Sequence, residues 1–230
     1  MLTLVTATRL SQAEFGQHSL LGRCLARLGE FQPFGFKLAH GNTRPLAELY
    51  NAAIDEAAPE DVLVFVHDDV QVDDWMMARR LHEALLHFDV VGVAGNTRVQ
   101  HRQVSWYLQP EPQEPGVPSP WDHGYLSGSI CHGVPKGQLS VYGPTPQPVR
   151  LIDGVFMAAR AGRLQKSGVR FDPALGFHFY DLDFCLSAHE AGLRLGTWPI
   201  ALTHASGGGS IDSPAWREAR LVFLKKWFHD

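Results

Sequence analysis

Residues 1–100 alternate between short apolar runs and stretches in which apolar residues recur with helical spacing. The run at 62–66 is unbroken, which is typical of a strand covered on both faces, as in a parallel sheet. After Pro45, apolar residues keep the i, i+3, i+4, i+7 spacing of a helix. The pattern predicts strands at 2–7, 34–39, 62–66 and 90–94, and helices at 18–28, 45–57 and 73–88. This alternation predicts βαβ units and an α/β fold: a doubly wound, mostly parallel sheet with helices on both faces.

The pattern changes in the second half of the chain. Nine of the fifteen prolines lie between Pro110 and Pro148, and no helical or strand period is visible there. This composition predicts a long loop with a short hairpin at 138–142, and its Trp and Tyr content favours a packed lid over disorder. Regular elements are predicted again downstream: a strand at 149–160, a short helix from 161, a helix at 180–191, a strand at 193–202 and an amphipathic helix at 214–228.

Composition and charge narrow the function classes. The 230 residues include 24 acidic and 20 basic side chains, a net charge of −4, so there is no basic excess for binding nucleic acid. No apolar run approaches the roughly 20 residues that a spanning helix needs, and the N-terminus lacks a signal-peptide pattern. Cys24, Cys131 and Cys185 are far apart and form no CxxC pair, which fits a reducing compartment. We therefore expect one cytoplasmic globular domain.

The segment His67-Asp68-Asp69 follows the most apolar predicted strand. In open parallel sheets, ligands bind outside the carboxyl ends of the strands, so these side chains stand where chemistry is usually done. Carboxylate oxygens suit Mg²⁺ or Mn²⁺, which in turn bridge phosphate oxygens. The alternative is that the aspartates only form a turn or cap the next helix.

Two further clusters lie at predicted element ends. Asp181 and Asp183 open a helix, and at this spacing one side chain can face a cleft while the other stabilises the helix N-terminus. His204 ends a strand and precedes a glycine run at 207–209, which can bring backbone amides close to an anion. A histidine at a strand end is also commonly structural. The chain has neither a P-loop Lys-Ser/Thr after the glycines nor a G-x-G-x-x-G after the first strand, which argues against NAD.

The order of these segments carries more information than any one of them. The chain presents, in succession, the strand ending in Asp68-Asp69, the pair Asp153-Gly154, the helix start Tyr180-Asp181-Leu182-Asp183-Phe184-Cys185-Leu186, and His204. This order resembles a glycosyltransferase of the GT-A fold, family 2 type, over residues 2–209. The helix at 181–192 is the most specific part, because it matches the family's Glu-Asp-x-Asp-Leu-Cys-Leu-Arg pattern at most positions. The segment at 46–54 is a further match.

The resemblance implies a role for each matching position. Asp181 falls on the family's catalytic base. Asp69 takes the last position of the Asp-x-Asp metal motif, His67 stands in place of its first acid, and His204 matches a histidine that often completes the site. The remaining implied contacts are Thr6, Thr8, Arg9, Asn42 and Asp68 for the nucleotide, and Asp153, Gly154, Trp121 and Asp183 for the sugar or acceptor.

The resemblance thus implies an inverting enzyme that uses Mn²⁺ or Mg²⁺. It would move a sugar from a nucleotide-diphospho-sugar to a hydroxyl of a glycan or a lipid-linked saccharide. It also implies one catalytic domain with a nucleotide-binding half at 1–100, a lid at 101–148, an acceptor and catalytic half at 149–212 and a terminal helix at 213–230.

Two other function classes stay open. His67, Asp68, Asp69 and His204 would also suit a metal-dependent phosphohydrolase or nucleotidyltransferase. Because His67 and Tyr180 stand where the family has acids, a non-catalytic nucleotide- or carbohydrate-binding relative is the third class. The last helix either packs on the sheet or on a second subunit of a homo-oligomer, or lies peripherally at a membrane surface.

Overall fold

Strands and helices alternate through the computed structural model, which describes residues 1–110, 118–134, 137–205 and 212–228. Within these residues the helices are α1 (Gln12–His18), α2 (Leu20–Phe31), α3 (Leu46–Glu56), α4 (Met77–Ala84), α5 (Ala161–Ser167), α6 (Tyr180–Glu190) and α7 (Pro214–Trp227), with a 3-10 turn at Pro173–Leu175. The strands are β1 (Leu2–Ala7), β2 (Gly35–Ala39), β3 (Val62–Val66), β4 (Val70–Val72), β5 (Val90–Gly92), β6 (Ala94–Asn96), β7 (Leu126–His132), β8 (Gln138–Gly143), β9 (Gln147–Val149), β10 (Leu151–Ile152), β11 (Phe156–Arg160), β12 (Leu195–Thr197) and β13 (Leu202–His204).

A seven-stranded sheet lies at the centre of the described structure, in the order β2-β1-β3-β11-β5-β12-β9. Five of its strands run parallel, whereas β11 and β9 run antiparallel to their neighbours. Every residue of β3 is buried, as the unbroken apolar run predicts. The predicted α/β fold class is confirmed. The insertion of β11 between β3 and β5 makes the sheet mixed.

A second sheet corrects the loop predicted for residues 110–148. Its order is β10-β6-β7-β13-β4, and β8 pairs with β7. Strands therefore occupy much of 126–149, of which the sequence indicates only a hairpin at 138–142. In β8 the apolar side chains of Leu139 and Val141 are exposed, at 62% and 70%, while Ser140 between them is partly buried. The alternation is thus inverted, which hides the strand from a hydropathy pattern.

Three predicted strands are each divided between the two sheets. The apolar segment 90–94 contains β5 and the first residue of β6, which are separated only by Val93, and 193–202 contains β12 and the start of β13. The segment 149–160 spans β10 and β11. The apolar pattern stays nearly continuous because most of these residues remain buried while the chain passes from one sheet to the other, although Arg150, Arg194, Pro199 and Ala201 are exposed. The hydropathy of a segment indicates that it is buried, but it does not indicate which strand the segment pairs with.

Helix α4 begins later than the predicted residue 73. The Asp73 side chain accepts hydrogen bonds from Thr203 and Gln71, so it ties β4 to β13. Asp74 accepts from the backbone N–H of Met76 at 2.9 Å, just before the helix. Among the described helices, none is both long and apolar enough to cross a membrane.

Candidate functional site

Two connections between the sheets lie side by side. Residues 67–69 connect β3 to β4, and residues 153–155 connect β10 to β11. The antiparallel pairing of β3 with β11 holds them together, and the His67 N–H donates to the Val155 carbonyl at 3.2 Å. Segments that are almost ninety residues apart in sequence therefore form one edge of the site.

The pairing of β13 with β4 places His204 beside Asp69. His204 stands opposite Val70, and the Ala205 N–H donates to the Asp69 carbonyl at 2.9 Å. Nε2 of His204 lies 3.2 Å from Oδ1 of Asp69. Together with His67, these side chains form a group whose ligand atoms all lie within 4.8 Å of one another. Two imidazoles and one carboxylate are a donor set that fits a divalent metal ion.

A chain of hydrogen bonds orients His67. The Tyr180 hydroxyl lies 2.9 Å from the Gly154 carbonyl and 2.7 Å from Nε2 of His67. Because a carbonyl only accepts, the hydroxyl proton goes to Gly154, and Nε2 of His67 donates to the Tyr180 oxygen. Nδ1 of His67 then carries the lone pair. Burial, reinforced by nearby His204, lowers the pKa of His67 to about 4 despite Asp69, so the ring is neutral at pH 7.

His204 is shifted in the opposite direction. Burial acts to lower its pKa, but the hydrogen bond to Asp69 and the negative charges of Asp69 and Asp153 outweigh burial, and the pKa is raised. His204 therefore holds a proton more readily than free imidazole. That proton must leave before the nitrogen can bind a metal ion, so metal binding should weaken as the pH falls.

Asp181 lies on the other side of Gly154. Its Oδ2 accepts from the Gly154 N–H at 3.0 Å and its Oδ1 from the Leu182 N–H at 2.9 Å, which fixes the carboxylate. Burial and the charge of Asp153 raise the pKa of Asp181 to about 6, against the effect of these amides. The carboxylate is thus ionised at pH 7 but more basic than an ordinary aspartate, which suits a general base.

Gly154 is the point of closest approach in the site. A Cβ added there would stand 2.3 Å from the Tyr180 hydroxyl oxygen and 2.9 Å from the Cβ of Asp181. Only glycine leaves room for both side chains, because any other residue would push them apart. The backbone at Gly154 therefore connects the metal-ligand group, through Tyr180, with Asp181.

The predicted nucleotide contacts are only partly brought together. The Thr8 hydroxyl donates to Asp68, and the Asn42 N–H donates to the Thr8 carbonyl at 2.8 Å. These three residues form a group where β1 and β2 end. The Thr6 side chain is completely buried, whereas Arg9 is exposed to solvent.

Asp183 lies apart from this cluster. Its side chain is completely buried, and Oδ1 accepts from Nε1 of Trp227 at 2.7 Å and lies 2.8 Å from Nζ of Lys226. Lys226 also binds Asp172 at 2.7 Å. The second aspartate of the pair therefore joins α6 to α7, and its side chain does not reach the other site residues.

Helix α7 also holds the residue that precedes α6. Phe179 has a φ of 63°, which is rare for a bulky side chain and costs energy. It is buried between Trp216 and Phe223 of α7, with ring centroids 5.3 and 5.2 Å away. The last helix thus packs against the start of α6 and helps to set where Tyr180 and Asp181 lie.

We expect Lys226→Met to lower the free energy of unfolding by about 1–3 kcal/mol, because the buried Asp183 carboxylate loses a charged partner. Trp227 still donates to it, which favours the lower end of this range. Urea unfolding measures the change. The matched control is Lys225→Met, an exposed neighbour on the same helix, for which a change within about 0.5 kcal/mol is expected. Equal losses in the two variants would contradict the assignment.

Trp121 lies in an aromatic group beside Asp153. It stacks on Tyr142, at 5.8 Å between ring centroids. Burial raises the pKa of Asp153, and Trp106 of the same group acts against that rise. The sequence does not single out His132, which lies 2.9 Å from the Tyr142 hydroxyl and beside His204. Only the pairing of β7 with β13 brings it there, and no local motif signals that pairing.

The glycine run at 207–209 and the lid residues 111–117 lie outside the described residues.

Comparison with known proteins gives a family match. A family model described as "Glycosyltransferase like family" matches residues 36–226 of this chain. A search of curated proteins finds no significant match.

Solved structures are similar at low sequence identity. A protein from STIV is 14% identical, with 86% of this chain and 81% of that chain covered and a TM-score of 0.48. The catalytic domain of Drosophila beta1,4-galactosyltransferase 7, in complex with xylobiose, is 11% identical, with coverages of 85% and 63% and a TM-score of 0.42. The S. aureus protein TarS is 12% identical, with coverages of 89% and 60% and a TM-score of 0.45. The chain thus spans less than two thirds of the latter two structures.

Proposed function

The chain belongs to the glycosyltransferase-like family, and we propose that it transfers a sugar from a nucleotide-diphospho-sugar to a hydroxyl group of a carbohydrate acceptor, with inversion. Residues 1–100 form the nucleotide-binding half in this proposal, with Thr8, Asn42 and Asp68 toward the nucleotide. Residues 149–212 form the acceptor and catalytic half.

One observation carries the proposal. The Gly154 carbonyl accepts from Tyr180, which in turn binds His67 of the metal-ligand group, while the Gly154 N–H binds Asp181. The backbone N–H and C=O of one residue, Gly154, therefore hold a candidate base and a candidate metal group at a set separation. Sugar transfer needs both functions at once, because a diphosphate must leave while a hydroxyl loses its proton.

The chain's own residues would perform the second task. Asp181 accepts the proton of the attacking hydroxyl while oxygen forms a bond to the anomeric carbon and the bond to the diphosphate breaks. A general base of this kind contributes roughly 10²–10⁴-fold to the rate. Asp153, half-buried beside it, would accept a hydrogen bond from the acceptor. A divalent ion held by His67, Asp69 and His204, when bound, offsets the charge of the departing diphosphate.

The donor set favours Mn²⁺ over Mg²⁺. Imidazole nitrogen suits first-row transition ions, whereas Mg²⁺ prefers oxygen and binds through carboxylates and water.

We expect His67→Asp to lower the ratio of Mn²⁺ affinity to Mg²⁺ affinity by about tenfold or more, because a second carboxylate replaces an imidazole. Calorimetric titration of the wild type and the variant with each ion measures the change. His82→Asp, at an exposed histidine of α4, serves as the control. An unchanged ratio of Mn²⁺ to Mg²⁺ affinity in His67→Asp would contradict the assignment of His67 as a ligand.

Turnover of a panel of nucleotide sugars tests the function itself. The protein is incubated with UDP-, GDP- and dTDP-sugars, with Mn²⁺ or a chelator, and with or without a mixture of saccharides. Release of a nucleoside diphosphate that needs metal and rises with saccharide supports transfer. Release of inorganic phosphate or a nucleoside monophosphate would instead indicate a phosphohydrolase or nucleotidyltransferase. Binding without turnover of any donor would indicate a non-catalytic relative.

A further inference from the structure

A cavity of about 300 Å³ lies at the edge of the central sheet where β3 begins, opposite the edge where residues 67–69 follow that strand. Arg160, at the end of β11, pairs with Val62 at the start of β3. Asp89 and Arg194 directly precede β5 and β12, which begin level with each other and next to the end of β11. Because β3 spans five residues, the two edges are roughly 16 Å apart. We call this cavity the arginine pocket, and its lining is Leu85, Phe88, Asp89, Arg160, Arg163 and Arg194.

Positive charge is concentrated in the arginine pocket. Its lining carries three guanidinium groups and one carboxylate, a net charge of +2, whereas the whole chain has a net charge of −4. The three arginines come from three separate segments, the end of β11, the helix α5 and the residue before β12. The fold therefore gathers these charges at one place on a protein that is acidic overall.

Asp89 holds two of the guanidinium groups together. Its Oδ1 accepts from Nε of Arg163 at 2.9 Å, and its Oδ2 accepts from the backbone N–H of Arg194 at 2.9 Å and from Nε of Arg194 at 3.4 Å. Burial acts to raise the pKa of Asp89, but these donors outweigh burial, and the pKa is lowered, so the carboxylate is charged. This buried charge offsets the repulsion between the two arginines and fixes where each one lies.

Most of the guanidinium donors remain available to a ligand. Arg163 and Arg194 bind Asp89 through Nε, and their terminal NH₂ groups make no hydrogen bond within the described residues. The half-buried Arg160 side chain forms neither a hydrogen bond nor an ion pair with any residue that the structure describes. The side chains of Arg163 and Arg194 are 46% and 63% exposed, so a ligand can reach them from solvent. The planar guanidinium group matches pairs of oxygens on a phosphate.

Leu85 and Phe88 give the arginine pocket an apolar wall. Leu85 is buried, and the half-buried ring of Phe88 lies against β12, where a Cβ added to Gly196 would stand 2.4 Å from the ring. The close approach of the backbone fixes the position of this ring. An apolar wall beside a few convergent polar groups is typical of pockets for small molecules, and the volume lies at the lower end of their range.

We propose that the arginine pocket binds a phosphate dianion, either free or as the monoester of a small organic molecule whose organic group would lie on Phe88. A phosphate group carries a charge of about −1.5 to −2 near pH 7, which matches the net charge of the lining. A carboxylate carries a single charge and offers only two oxygens to three guanidinium groups. The inference goes beyond the proposed function and does not depend on it, because no residue of this lining belongs to the candidate site.

Calorimetric titration with inorganic phosphate, phenyl phosphate and benzoate tests the arginine pocket. A chelator in the buffer prevents a metal ion from holding phosphate at the candidate site. Both phosphates are expected to bind the wild type and to raise its melting temperature, since they bind the folded state. Benzoate should bind at least about tenfold more weakly than phenyl phosphate, because it carries less charge. Tighter binding of phenyl phosphate than of inorganic phosphate would assign the pocket to a monoester, and equal binding would assign it to free phosphate.

Substitutions of Arg160 show whether the phosphates bind in this pocket. Arg160→Gln leaves the hydrogen bonds of Asp89 in place and should weaken the binding of both phosphates about tenfold. Arg160→Lys is the milder change and should weaken binding about threefold, because the ammonium keeps the charge and lacks the planar fork. Arg23→Gln, at an exposed arginine of α2, is the control and should bind as the wild type does.

Urea unfolding without ligand identifies which variants are folded. The inference is overturned if neither phosphate binds the wild type, or if the folded Arg160 variants bind both phosphates as the wild type does. Benzoate that binds as tightly as phenyl phosphate would also overturn it, because the pocket would then not recognise the phosphate group.

Discussion

Replacement of Asp181 by asparagine is expected to lower kcat by about 10²–10⁴-fold, while a nucleoside diphosphate binds nearly as well as before. Asparagine preserves the shape of the side chain, and its oxygen can still accept one of the two backbone hydrogen bonds, from Gly154 or Leu182. It cannot take a proton from the attacking hydroxyl at neutral pH. Steady-state kinetics and calorimetry with the nucleoside diphosphate separate the two effects. Unchanged turnover would remove Asp181 from the role of base.

The pH profile provides an independent check on the same residue. Because the pKa of Asp181 is raised to about 6, the carboxylate is protonated below that pH and ionised above it. At saturating metal, kcat is therefore expected to fall about tenfold for each pH unit below 6 and to level off above it. Asp181→Asn should remove this fall in kcat below pH 6. Asp55→Asn, at a largely exposed aspartate, should keep both the wild-type rate and the fall in kcat below pH 6.

Gly154→Ala is expected to be the most damaging small substitution in the site. The new methyl group would overlap the Tyr180 hydroxyl and crowd the Cβ of Asp181, so at least one of them must move. Misplacement of a catalytic group by about 1 Å can cost about 10²-fold, and we expect a loss of this size in kcat/KM. Overpacking should also lower the free energy of unfolding by about 1–3 kcal/mol. Kinetics and urea unfolding measure the two losses.

A matched glycine shows whether this loss is specific to the position. Gly16 lies in α1 with no atom within 4 Å of an added Cβ. Gly16→Ala should therefore retain full activity and gain a few tenths to about 1 kcal/mol, since alanine is the better helix former. An active, stable Gly154→Ala would contradict the close approach on which the site depends.

The main elements of the fold could be predicted wherever one segment carries its own burial pattern. The five buried residues of β3 and the spaced apolar residues of α3 are examples. The direction of β11 could not be predicted, because it depends on partners in β3 and β5 that are distant in sequence. The strands β6, β10 and β13 span only two or three residues, too few for a period to be visible.

The same difference between local patterns and distant partners decides how much of the site could be predicted. The positions of Asp69, Asp181 and His204 at element ends are visible in the sequence, and the structure brings Asp69 and His204 together. The hydrogen-bonded position of Tyr180 between His67 and Gly154 is not visible, because it needs the pairing of β3 with β11 and the start of α6 at the same point. For Asp183, the sequence motif is visible but misleading about the residue's surroundings. It sits in a matching motif, yet its partners are on α7, more than forty residues away.

The stereochemistry of the product tests the central claim most directly. Proton NMR of the anomeric signal compares the product with the nucleotide sugar that turns over, after a chelator removes the metal ion. A single displacement assisted by Asp181 predicts inversion, so that an α-linked donor gives a β-linked glycoside. Retention of configuration would require either a double displacement or attack from the face that the diphosphate leaves, and would contradict the account.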